Sequence, residues 1–138
     1  MDELDEKKSL LRTYRNQLTI KKSEKQSYLD TAADIGEVYQ RMADDKAIVK
    51  GYRDSVKSFL RENYNTFTGD LYSESYKAKL NEVVQEYEVV IKNIDTNLDQ
   101  LNLARAQYEN KAYSCNGKIG QLQAAINSLI HTIQNWVN

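Results

Sequence analysis

The chain has 138 residues, with nineteen basic and twenty acidic side chains and 41% hydrophobic residues, which suits one domain. The near-cancelling charge removes the electrostatic warrant for nucleic acid, and no window approaches the roughly 18 apolar residues of a membrane span. The start, MDELDEKKSLL, is acidic and lacks an apolar core, unlike a secretory signal peptide, and the single cysteine, Cys115, excludes an internal disulfide.

The first half reads as a long helix. Leu4, Leu11 and Leu18 are seven apart, and a polar stretch, IKKSEKQS, follows. Tyr28, Ala32, Ile35, Tyr39 and Met42 then alternate by four and three, and Val49, Tyr52, Val56 and Phe59 continue the pattern. No proline interrupts it, and proline in a helix interior costs about 3 kcal/mol or more.

A short non-helical patch, NYNTFTGDLY, comes next. Asn63, Asn65, Thr66 and Thr68 favour caps and turns over helix interiors. Gly69 accepts positive φ without penalty. Asp70 suits the N-terminus of a second helix, where its carboxylate accepts from free N–H groups.

The second half carries the clearest periodicity. From Tyr76, apolar residues recur at Leu80, Val83, Tyr87, Ile91, Ile94, Leu98 and Leu101. One extra step of four near Tyr87 reads as a stutter, and Arg105 reads as an interruption. The seam resumes through Tyr108, Ala112, Cys115, Ile119, Leu122, Ile126, Leu129, Ile133 and Trp136, a coiled-coil repeat of about eight heptads. Gly117 and Gly120 make a bend in this helix an expectation.

A short connection makes the two helices antiparallel neighbours. The fold expected is all-α, an antiparallel hairpin in a single domain spanning residues 1–138. Its first helix covers about 2–63, the turn about 64–70 and the second helix about 71–136. With the turn near Thr68, facing residue numbers sum to roughly 137. Val49 then meets Tyr87, Ile35 meets Leu101, and the weak stretch at Ser23 falls opposite Ser114.

Two helices cannot bury everything this chain offers. Tyr14, Ile20, Ile48 and Leu60 read as off the stripe in the first helix, and Tyr72, Val84, Val90, Leu103, Tyr113 and Ile130 in the second. Burying a large apolar side chain is worth roughly 1.5–3 kcal/mol. Partner helices completing a bundle are therefore expected. The residues placed at that contact are Leu4, Leu11, Tyr14, Leu18, Leu103, Tyr113, Ile119, Leu122, Ile126, Ile130 and Trp136.

Bond chemistry finds little support. His131 is the only histidine and reads as a surface residue, and Cys115 falls on the apolar seam as a small core residue. No phosphate-cradling glycine loop, metal-ligand spacing or nucleophile elbow is present. Asp44, Asp45, Glu82 and Glu86 read as solvated faces, and the patch of Lys21, Lys22 and Lys25 contains Glu24. No cofactor, metal or enzymatic activity is expected.

The central aromatic-x-Gly, Phe67-Thr68-Gly69, between two amphipathic helices resembles the WxG-type (ESX-like) helical-hairpin proteins of type VII secretion. Phe67 stands in place of the usual Trp, and Asp70 opens the second helix. Chain length and tyrosine-rich helices look more like the small helical partners of LXG-type toxins in Gram-positive bacteria, including YwqH-like proteins. The family's Tyr-x-x-x-Asp/Glu motif is not found after the second helix, where the sequence reads NWVN. The resemblance implies a non-enzymatic adaptor or targeting chaperone for the N-terminal helices of such a toxin, acting with a second small helical protein. It also implies a cytoplasmic protein, or one exported without a signal peptide. The alternative is a self-associating coiled-coil scaffold, a homodimer formed through the same exposed stripe.

Overall fold

A computed structural model describes the backbone of residues 2–66 and 75–137, and the side chains of residues 2–61 and 75–137. Two helices, α1 (Glu3–Thr66) and α2 (Lys77–Val137), pack against each other as an all-α hairpin. Ser75 and Tyr76 form one wider, π-type turn ahead of α2. α1 thus runs three residues beyond its expected end. The bend motif, Phe67, Gly69 and Asp70, lies outside the described residues, as does the expected start of α2 at Leu71.

The start of α1 is capped by a residue the sequence reading passed over. Asp2 Oδ1 accepts from the Asp5 amide at 2.8 Å, and the Asp2 carbonyl accepts from the Glu6 amide at 3.2 Å. Such a cap satisfies donors that the helix leaves free. Glu3, Asp5 and Glu6 add negative charge to the first turn, where the helix dipole favours it.

Heptad positions written abcdefg, with Leu4 at a in α1 and Lys77 at a in α2, give an unbroken seam in each helix. Every a and d residue from Leu4 to Leu60, and from Lys77 to Ile133, is buried or half-buried. Four expectations change accordingly. Val84, placed off the stripe, is only 8% exposed and is the seam residue; Val83 lies beside it. The steps through Leu80, Val84, Tyr87 and Ile91 are then four, three and four, so no stutter exists. Arg105 is a half-buried a residue and continues the seam. Tyr14 and Leu60 occupy d and a positions and are half-buried.

In α2 the adjacent Val83 and Val84 leave the phase open to hydrophobicity alone; in α1 the cause is different. Long cationic side chains sit on the seam of α1, with Lys7, Lys21, Lys25, Lys46 and Arg53 all half-buried at a or d. Their methylene stems cover apolar surface while the charged ends reach water. A seam traced through apolar residues alone loses its phase at such positions.

The chain divides into two compact units, one of Met1–Asp34 with Ala104–Asn138 and the other of Ile35–Leu103. In the first, Ala32 of α1 meets a core built by Ala112, Cys115, Leu122 and Ile126 of α2. Tyr28 and Tyr108 pack with ring centroids 6.3 Å apart, within one residue of the expected register. In the second, Val84, Ile91 and Leu98 are the buried residues, and Tyr52 packs on Tyr87 at 6.4 Å. Tyr52 is a g residue, so this contact lies at the edge of the seam, and the two residue numbers sum to within two of the expected 137. Helical geometry continues through Gly117 and Gly120, both exposed, with open space where a Cβ would stand.

Candidate functional site

The two edges of the Ile35–Leu103 unit differ in chemistry. On one edge, charges pair across the helices: Lys46 Nζ meets Asp95, and Lys57 Nζ lies 3.4 Å from Glu88 Oε1. Lys57 and Glu88 are both e residues, which places the e rows of α1 and α2 side by side. On the other edge the g rows meet. Val38 and Met42 share a groove there with Asn97, Gln100 and Leu101, and Tyr52 packs on Tyr87.

That g edge is apolar and open. Val38, Tyr52 and Phe59 of α1 and Tyr76 and Val90 of α2 are all exposed g residues, Tyr52 to 57%. Val83 is a half-buried g residue in the same row. Ile48, at the neighbouring c position, is 52% exposed. Among the described side chains, the remaining charged g and c positions are Arg41, Asp45, Lys79 and Glu86, all exposed. A two-helix groove with apolar walls is the geometry into which a further helix packs ridge into groove.

The other unit carries a polar cluster at its seam. Lys21 Nζ donates to Glu24 Oε2 at 3.2 Å, and Tyr28 Oη donates to Glu24 Oε1 at 3.3 Å. Lys111 Nζ of α2 lies over the Tyr108 ring at 4.7 Å and the Tyr28 ring at 5.9 Å. The hydrogen bond to Glu24 raises the Lys21 pKa above its ordinary value. The negative charge of Glu24, with desolvation, raises that of Tyr28. Cys115 is buried beside this cluster, its Sγ donating to the Lys111 carbonyl at 3.4 Å.

The residues expected at a partner contact fall into three groups. Leu4, Leu11, Tyr14, Leu18, Ile119, Leu122 and Ile126 lie on the hairpin's own seam, and Leu122 and Ile126 are fully buried there. Ile130 is half-buried beside the seam. Leu103, Tyr113 and Trp136 are exposed. The g-edge residues Val38, Tyr52 and Val83 were absent from that expectation because Tyr52 and Val83 had been read as seam residues. A strict seven-residue repeat assigns them correctly.

No family model matches the chain, and no match was found among curated proteins or solved structures. Among the described residues, no group of three or more His, Cys, Asp or Glu side chains is placed to hold a metal ion. No described helix is long and apolar enough to cross a membrane.

Proposed function

We propose that the protein is a non-enzymatic helical adaptor that binds helices of a partner chain along the g edge of its Ile35–Leu103 unit. The observation that carries this reading is the row of exposed apolar side chains there, with Val38, Ile48, Tyr52 and Val90 facing water. Contiguous apolar exposure of this kind marks interaction surfaces in soluble proteins. The opposite edge of the same unit is occupied by cross-helix ion pairs.

The partner class comes from the resemblance at Phe67-Thr68-Gly69. On that basis the partner is the helical N-terminal region of an LXG-type toxin, joined by a second small helical protein. The adaptor shields the toxin's apolar helices and presents them to a type VII secretion system. Binding is helix-on-helix packing, with no bond made or broken.

Co-expression with an LXG-type protein encoded beside this chain tests the reading. A stoichiometric complex that Val90→Asp weakens at least tenfold, with helicity unchanged, is the expected result. Failure of the wild-type chain to form any complex removes the adaptor. A stable homo-oligomer by light scattering, dispersed by the same substitution, selects the self-associating scaffold instead.

A further inference from the structure

We infer that the cluster of Lys21, Glu24, Tyr28, Tyr108 and Lys111 is a register lock, which selects one alignment of α1 on α2 in its unit. The inference rests on the seam alone and not on the adaptor reading. A seam of interchangeable apolar residues specifies register weakly, because one heptad shift replaces Leu by Leu or Ile. A polar layer specifies it more strongly, since a shift separates members that meet across the two helices.

The cross-helix contacts of this layer are specific to the observed alignment. Within α1, Glu24 accepts from both Lys21 and Tyr28, the seam residues on either side of Lys25, and so holds the Tyr28 ring in place. Tyr28 in turn meets Tyr108 of α2. Lys111 lies over both rings and so depends on their being side by side. Sliding α2 by one heptad sets Tyr28 against Cys115 and Lys21 against Leu122, and it leaves Lys111 with at most one ring. The shift removes the Tyr28–Tyr108 contact and one of the two rings under Lys111, while the bonds to Glu24 within α1 stay. Lys25, also a half-buried seam cation, lies outside the lock.

The test reads alignment and leaves stability aside. Spin labels at Thr19 and Gln121, both exposed, in a full-length Cys115→Ala background, report the axial offset of the two helices. The parent gives one narrow distance distribution. Tyr28→Leu with Lys111→Leu gives a second population displaced by about 10 Å, the axial length of one heptad, or additional oligomers by light scattering. Lys25→Leu, which also makes the seam more apolar, keeps the single distance. One narrow distance and one mass in the double variant overturns the lock, and so does equal broadening in Lys25→Leu. Should the double variant lose its helical circular dichroism, Lys111→Met is read in its place against the same two outcomes.

Discussion

α1 and α2 are of similar length and face each other across one seam, yet they contribute unequally. Of the eight fully buried residues described, α2 supplies seven and α1 only Ala32. The seam of α1 carries Lys7, Lys21, Lys25, Lys46 and Arg53, whereas that of α2 carries Lys77 and Arg105. α2 therefore provides the apolar ridge and α1 a partly cationic cover whose stems lie along it. The difference teaches that a heptad seam need not be apolar on both sides. One well-packed helix supports a weaker one, and the cations of the weaker helix disfavour its pairing with a copy of itself.

Truncations on the two helices should expose this inequality most visibly. Leu122→Ala removes a buried side chain, 3% exposed, and should cost about 2–4 kcal/mol. Leu18→Ala, half-buried in α1, should cost roughly half as much, because its site is already partly hydrated. Urea unfolding followed by circular dichroism measures both. Equal losses would mean that the two helices share the core evenly.

Backbone entropy offers a smaller effect of opposite sign. Gly51 in α1 and Gly117 and Gly120 in α2 are exposed, helical and unobstructed at Cβ. Substitution by Ala should stabilise by about 0.4–1 kcal/mol at each. Thermal melts of the three variants check this. A loss at Gly117 or Gly120 alone would show that α2 uses its glycines for something other than helix geometry.

The smallest effect is on the pH dependence. Lys21 has its pKa raised above 10.5 and Tyr28 above 10.0 in the folded chain, Glu24 being the first cause of each. The folded state thus keeps protons that the unfolded state has already released. The stability these groups contribute is present below pH 10 and falls as pH rises through their folded values. Melting temperature should decline above about pH 10, and Glu24→Gln should make that decline shallower.

Much of the architecture was legible beforehand. Two long periodic segments flank one patch of turn-forming residues, and seven-residue spacing leaves little choice but a helical pair. Alignment was readable at Tyr28 to within one residue, because Tyr108 lies opposite in a clean heptad. Near Tyr87 the phase of the seam was less readable. There the run of adjacent valines, Val83-Val84 and Val89-Val90, gives hydrophobicity no way to choose which member faces inward. The exposed g edge was less legible for the same reason. An exposed g-row tyrosine and a seam tyrosine have identical composition and differ only in phase. The Asp2 cap was readable, since a carboxylate three residues ahead of Asp5 at the start of a periodic run is a recognised helix signal.

Cys115 gives the hairpin an unusual redox character. Its sulfur is enclosed by the helix pair, at 3% exposure, and engaged by a backbone carbonyl. Intact copies of the protein consequently have no accessible thiol here with which to join covalently, whatever the oxidising strength of their surroundings. Peroxide or glutathione disulfide can react only in the intervals when α1 lifts away from α2. The thiol thus keeps a chemical record of how often the pair has opened.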